Sequence, residues 1–183
     1  AELERALASA RAAGIGIPQL TKAAFVVPRV AAKMAGVRRA LEDGVGFAMV
    51  RGLPRERYSK ADAALVYYGI GAQLGPAFAQ NAHGEMLGHV RDLGVDWRTD
   101  TRARGYQTRL HLPFHNDSTD VVGLLCLQKA KAGGASRIVS SVAVHDAFLA
   151  RRPDLWRGMC EPGRGARRGR GSPGQPPPSA RPG

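Results

Sequence analysis

Apolar side chains recur at helical spacing in the first part of the chain, and glycine and proline mark where the helices begin and end. Residues 1–13, rich in alanine and arginine, predict a short helix that stops at Gly14. Pro28 is expected to open a second helix, in which apolar residues recur three and four positions apart as far as Asp43. Ser59 predicts the start of a third helix, because it is a favoured N-cap residue and an acidic residue follows three positions later.

The later part of the chain changes to patterns that are typical of strands. Short apolar runs at 46–50, 121–127 and 136–142 predict strands, and residues 143–156 predict a helix that Pro153 breaks. Helices followed by consecutive strands indicate an α+β domain with an antiparallel β core.

A long polar segment separates these two parts. Residues 77–110 have weak periodicity and dispersed glycine, which predicts a loop with one or two short strands. His83 and His89 lie in this loop and either face solvent, the commoner situation, or line a substrate entrance. The pair Tyr67 and Tyr68 on the third helix is most simply explained by helix packing.

Composition indicates one globular domain and excludes membrane-spanning and disulfide-rich classes. The 183 residues are 44% hydrophobic, and no apolar run approaches the roughly 18 residues that a membrane span needs. Cys126 lies in an apolar run and is expected to be buried, and the two cysteines show no CxxC spacing. Since no signal-peptide pattern is visible, we expect a reducing, cytoplasmic setting.

The composition changes abruptly at residue 163. Residues 163–183 contain only Gly, Arg, Pro, Ala, Ser and Gln. The five arginines in this segment contribute +5 to the net charge of +12, so residues 1–162 have a net charge of +7. Such a segment cannot bury a core and is expected to be disordered. Its abrupt start favours a frameshifted or truncated coding sequence. An alternative is a nucleic-acid-binding protein that uses this basic tail as an electrostatic arm, although the tail has no aromatic residue for base stacking.

The most informative motif is Leu-Pro-Phe-His-Asn-Asp at residues 112–117. On an extended backbone, side chains two positions apart point to the same side, so His115 and Asp117 can bind one metal ion. One imidazole and one carboxylate are two of the three ligands of the non-haem Fe(II) facial triad. By itself this spacing is a weak signal, because a surface His beside an Asp is commoner. His111 lies four residues before His115, but Pro113 argues against the helix that such a pair needs.

The context of the motif is more specific. With Gly133, Gly134 and Ser136 downstream, it resembles the taurine dioxygenase (TauD/TfdA-like) family of Fe(II)/2-oxoglutarate-dependent dioxygenases. The resemblance covers roughly residues 36–161 and rests also on the segments 44–52, 80–84, 105–108 and 140–155. It implies an incomplete double-stranded β-helix, or jelly roll, that follows N-terminal helices within a domain of residues 1–162.

The resemblance also implies a site and its cofactors. His115 and Asp117 match the first two Fe(II) ligands, and Ser136 matches the hydroxyl residue that contacts 2-oxoglutarate. Gln107 and Thr108 match a region near the cosubstrate and substrate. The implied activity is that of an oxidoreductase that hydroxylates a small organic substrate with dioxygen.

Two parts of the family's site have no counterpart in this sequence. The family's third iron ligand is a late His, and an Arg shortly after it pairs with the distal carboxylate of 2-oxoglutarate. No His follows His145 in this chain, whose own position is expected at a helix surface. Two ligands hold a metal less well than three. We therefore expect that this chain, although it resembles the family, is inactive.

Overall fold

The computed structural model describes residues 1–81, 83–100, 103–117, 119–159, 162–163 and 181–182. The helices are α1 (Glu2–Ala12), α2 (Pro28–Glu42), α3 (Lys60–Gly71), α4 (Ser141–Arg151) and α5 (Pro153–Met159), with 3-10 turns at Arg55–Arg57 and Gly105–Gln107. Strands β1 (Pro162–Gly163) and β2 (Arg181–Pro182) pair antiparallel. Most of the predicted tail, residues 164–180 and 183, lies outside the described residues.

The three N-terminal helices form where the local signals predict them. α1 ends next to Gly14, whose φ of +65° lies in the left-handed region that glycine adopts at little cost. α2 begins at Pro28 as predicted. Ser59 caps α3, because its Oγ accepts the backbone N–H of Asp62 at 3.1 Å.

The N-terminus of α2 is capped from another helix. Val27 stands at the N-cap and has no side chain that can accept a hydrogen bond. Instead, Oε1 of Glu2 in α1 accepts the backbone N–H groups of Arg29 at 3.0 Å and Val30 at 3.2 Å. A carboxylate at this end also faces the positive end of the helix dipole. The contact therefore fixes α1 against the start of α2.

The hydrophobic core lies entirely in the N-terminal helices and the segments that join them, as far as the described residues show. Phe25 and Val66 at its centre have no exposed surface. The one buried polar side chain there, Gln73, donates from Nε2 to the carbonyl oxygens of Phe25 and Gly69 at 3.3 and 3.1 Å. The clustered buried residues are Ala6, Leu7, Ala10, Leu20, Phe25, Val27, Tyr58, Ala63, Val66 and Tyr68.

The C-terminal helices confirm the predicted break. Ser140 caps α4 by accepting the N–H of Ala143 at 3.3 Å, and α4 ends at Arg151. Pro153 then opens α5, which packs against α4.

The predicted strands are not paired in this structure. Segments 46–50, 121–127 and 136–142 contain no strand; the last runs into α4. Most of their side chains are exposed, for example 77% for Leu124 and 70% for Ile138. A strand needs a partner for its backbone N–H and C=O groups, and an apolar run does not by itself determine which segment that partner is.

The prediction that Cys126 is buried is wrong. Cys126 is exposed, whereas Leu125 and Leu127 on either side of it pack against the helical core. Leu125 and Leu127 therefore face the core, and Cys126 lies on the opposite side.

Candidate metal and cosubstrate site

The segment that carries the predicted metal ligands is irregular and exposed. Residues 111–117 form no helix, so the helical pairing of His111 with His115 does not arise, as Pro113 predicted. Nδ1 of His115 lies 2.9 Å from the carbonyl oxygen of Pro113. Because a carbonyl oxygen can only accept, this contact requires a proton on Nδ1, which in the neutral ring leaves the lone pair on Nε2. Metal-binding histidines commonly donate their other N–H to a carbonyl in this way.

The carboxylate of Asp117 is exposed two residues further along the same segment. A neutral imidazole nitrogen and a carboxylate oxygen suit Fe(II), so the donor types fit two of the three protein positions of a facial triad. Within the described ranges there is no group of three or more His, Cys, Asp or Glu residues that could hold a metal ion. A third ligand is therefore not provided by this part of the chain.

Ser136 follows a turn that glycine makes possible. Gly133 and Gly134 have φ angles of +70° and +72°, and side-chain-bearing residues rarely adopt two such angles in succession. The Ser136 hydroxyl is exposed after this turn. Among the described residues, no hydrogen bond joins it to His115 or Asp117.

Gln107 and Thr108 have local structural contacts. Oε1 of Gln107 accepts the N–H of Arg104 at 2.8 Å, and Oγ1 of Thr108 accepts the N–H of Leu110 at 3.0 Å. Both bonds stabilise the 3-10 turn Gly105–Gln107 and its exit. A Gln three residues after the N-cap position is the sequence signal for this capping arrangement.

The long loop contributes one cleft near the N-terminal helices. It has a volume of about 280 Å3, and His89 lies on its wall. His83 is exposed, and its backbone N–H donates to Oδ1 of Asn81 at 3.0 Å. The cleft is lined by Ile17, Pro18, Ala64, Gly84, Glu85, Met86, Leu87 and His89.

An exposed ion pair stabilises the loop that precedes the 3-10 turn. Arg98 donates from Nε to Oδ1 of Asp96 at 3.0 Å and from Nη2 to Oδ2 at 2.6 Å, a two-pronged contact. These side-chain hydrogen bonds, with one from the Arg98 backbone N–H, lower the pKa of Asp96 to about 2.

His145 lies on the surface of α4, as predicted. Its side chain is 48% exposed, its Nδ1 lies 3.0 Å from Oδ1 of Asp146, and its ring meets that of Trp156 edge-on at 5.5 Å. These two contacts explain the orientation of the His145 ring.

A sequence model described as "Taurine catabolism dioxygenase TauD, TfdA family" matches residues 17–182. The chain belongs to the TauD/TfdA family. The match begins before the range 36–161 on which the resemblance rested, and it continues over most of residues 163–183. The family has a jelly-roll fold and Fe(II)/2-oxoglutarate-dependent dioxygenase chemistry.

Two curated proteins are similar to this TauD/TfdA chain. FR-33289 synthase of Streptomyces rubellomurinus is 36% identical over 142 residues, which are 78% of this chain and 42% of that protein. Taurine hydroxylase-like protein SAT17 of Stachybotrys chartarum is 29% identical over 161 residues, which are 85% of this chain and 42% of that protein. The chain thus spans less than half the length of each of these relatives. None of the helices in the described residues is both long and apolar enough to cross a membrane.

Proposed function

We propose that this chain is part of an Fe(II)/2-oxoglutarate-dependent dioxygenase that hydroxylates a small organic substrate with dioxygen. The observation that carries the proposal is the His115 ring, whose Nδ1 is held by the Pro113 carbonyl and whose Nε2 lone pair is left for a metal. The carboxylate of Asp117 lies two residues away on the same exposed segment. Family membership supplies the reaction class.

Each predicted site residue then has a definite role. Nε2 of His115 and a carboxylate oxygen of Asp117 would hold Fe(II), which when bound supplies the centre for the oxidation. The Ser136 hydroxyl can donate a hydrogen bond to a carboxylate of 2-oxoglutarate. Gln107 and Thr108 would lie near the cosubstrate and keep the preceding turn in shape through the hydrogen bonds that they already make.

No third metal ligand is assigned among the described residues. We propose that the 183-residue chain binds a divalent metal weakly through His115 and Asp117 alone. Loss of supporting groups around a metal already costs about 10- to 100-fold in affinity, and loss of a direct ligand removes a bond to the metal itself.

Mn(II), a redox-stable substitute for Fe(II), tests this assignment in a calorimetric titration of the full chain. We expect measurable but weak binding that His115→Ala and Asp117→Ala each abolish. His145→Ala is the matched control, because it removes an exposed imidazole whose contacts are with Asp146 and Trp156. Equal binding by the unaltered chain and His115→Ala would refute the assigned pair.

Neither the family match nor the two relatives support the nucleic-acid-binding alternative. Of the basic segment on which it depends, only Gly163, Arg181 and Pro182 belong to the described residues.

A further inference from the structure

The phenol of Tyr67 touches the segment that follows the proposed metal ligands. Tyr67 lies on α3 and is half-buried. A Cβ atom built on Gly123 would lie 2.6 Å from the Tyr67 hydroxyl oxygen, 3.6 Å from Cζ and 3.9 Å from Cε2. The hydroxyl therefore occupies the space that a side chain at position 123 would need.

This contact is the first of three that place the segment on the helices. Gly123, Leu125 and Leu127 are two residues apart, and both leucines pack against the helical core. The residue between them, Cys126, is exposed, as is Leu124. A repeat of two is the signature of a segment with one face on a support. Gly123 itself is only six residues after Asp117.

The chemistry of Tyr67 suits a contact of this kind. Burial raises the pKa of its phenol above the usual value of 10.0, so the side chain is neutral at physiological pH. The φ angle of Gly123 is outside the left-handed region, so its backbone does not require glycine. Glycine fits at this position because the Tyr67 hydroxyl lies too close for a Cβ atom.

We propose that Tyr67 is a positioning residue for the metal-binding segment. Its hydroxyl, seated against Gly123, sets the distance between α3 and residues 123–127, and through the chain that joins them it sets where His115 and Asp117 lie. The link to the metal rests on the proposed function, whereas the contact with Gly123 is independent of it.

A double-mutant cycle on the full chain tests this proposal with two readouts, Mn(II) affinity and the midpoint of urea unfolding. Gly123→Ala should weaken Mn(II) binding about tenfold and lower the unfolding midpoint, because the new methyl group displaces the segment. Tyr67→Phe removes the oxygen at 2.6 Å and leaves Cζ at 3.6 Å, an ordinary contact distance. The Tyr67→Phe/Gly123→Ala double variant should therefore recover both properties.

Tyr68→Phe is the matched control. Its hydroxyl donates to the carbonyl oxygen of Pro18 at 3.4 Å inside the helical core, so its loss should not rescue Gly123→Ala. Additive effects of Tyr67→Phe and Gly123→Ala on the unfolding midpoint would overturn the contact. Coupling in the unfolding midpoint without coupling in Mn(II) affinity would overturn the positioning role. Absence of Mn(II) binding by the unaltered chain would refute the proposed metal site, and with it the positioning role, while the unfolding midpoints would still decide the contact.

Discussion

The ring of Phe25 lies directly on the backbone of Gly69. A methyl group on Gly69 would come within 2.4 Å of Cδ1 and 2.6 Å of both Cε1 and Cγ of a side chain that has no exposed surface. The carbonyl oxygens of the same two residues both accept hydrogen bonds from the amide of Gln73. Glycine in the last turn of α3 therefore allows the segment before α2 to pack against α3.

Gly69→Ala should destabilise the N-terminal helices. Alanine favours a helix over glycine by about 0.5–1 kcal/mol, but overpacking of a well-filled core costs about 1–3 kcal/mol. Because Phe25 is fully buried, we expect a net loss in the free energy of unfolding, measured by urea denaturation. Gly36→Ala in α2 is the control, because its nearest neighbour is an Arg39 side-chain nitrogen at 3.9 Å, and it should be neutral or stabilising. Equal effects of the two substitutions would contradict the contact.

Removal of the Glu2 carboxylate should loosen the start of α2. Loss of a helix cap typically costs about 0.5–2 kcal/mol, so Glu2→Ala should lower the thermal midpoint. Glu2→Gln should have a smaller effect, because it keeps an acceptor oxygen but loses the interaction of the charge with the helix dipole. Glu42→Gln, which breaks only an exposed pair with Arg38, serves as the control and should change stability little. An unchanged midpoint in Glu2→Ala would show that the N–H groups of Arg29 and Val30 do not depend on this side chain.

The Asp96–Arg98 pair should give the loop a measurable acid sensitivity. The pKa of Asp96 is lowered from 3.8 to about 2, so the folded loop favours the ionised carboxylate. Its contribution to stability is present above pH 3.8 and is lost as the pH falls towards 2. Carboxyl-carbon NMR titration should show the low pKa, and Arg98→Gln should raise it towards the ordinary value. An Asp96 carboxyl that titrates near 3.8 in the unaltered chain would contradict the pair in solution.

We expect no turnover of 2-oxoglutarate to succinate by the 183-residue chain alone. The proposed site has two metal ligands and one hydroxyl for the cosubstrate, and a neutral hydrogen bond contributes only about 1 kcal/mol. Succinate can be quantified by chromatography after incubation with Fe(II), ascorbate and 2-oxoglutarate, and denatured chain provides the background. Turnover well above this background would show that another histidine completes the site. His83→Ala, His89→Ala and His111→Ala would then identify it.

Local signals in the sequence were sufficient to predict where the N-terminal helices begin and where the C-terminal helix breaks. The limits of α1 and α2, the Ser59 cap and the break before Pro153 all depend on residues within a few positions of one another, which is why the sequence predicts them. The pair His115 and Asp117 is equally local, and together with its surroundings it indicated the family that the comparison confirmed.

Contacts between distant residues were decided only by the tertiary structure. The apolar run at 121–127 predicted a strand, but the run carries no information about which surface will cover it. In the structure, Leu125 and Leu127 lie against the helical core, and Cys126 faces outward. The glycines at 69 and 123 are explained by aromatic side chains far away in sequence, Phe25 and Tyr67. Periodicity reports how one segment divides its polar and apolar faces, whereas a close approach depends on the shapes of both partners, which meet only after the chain has folded.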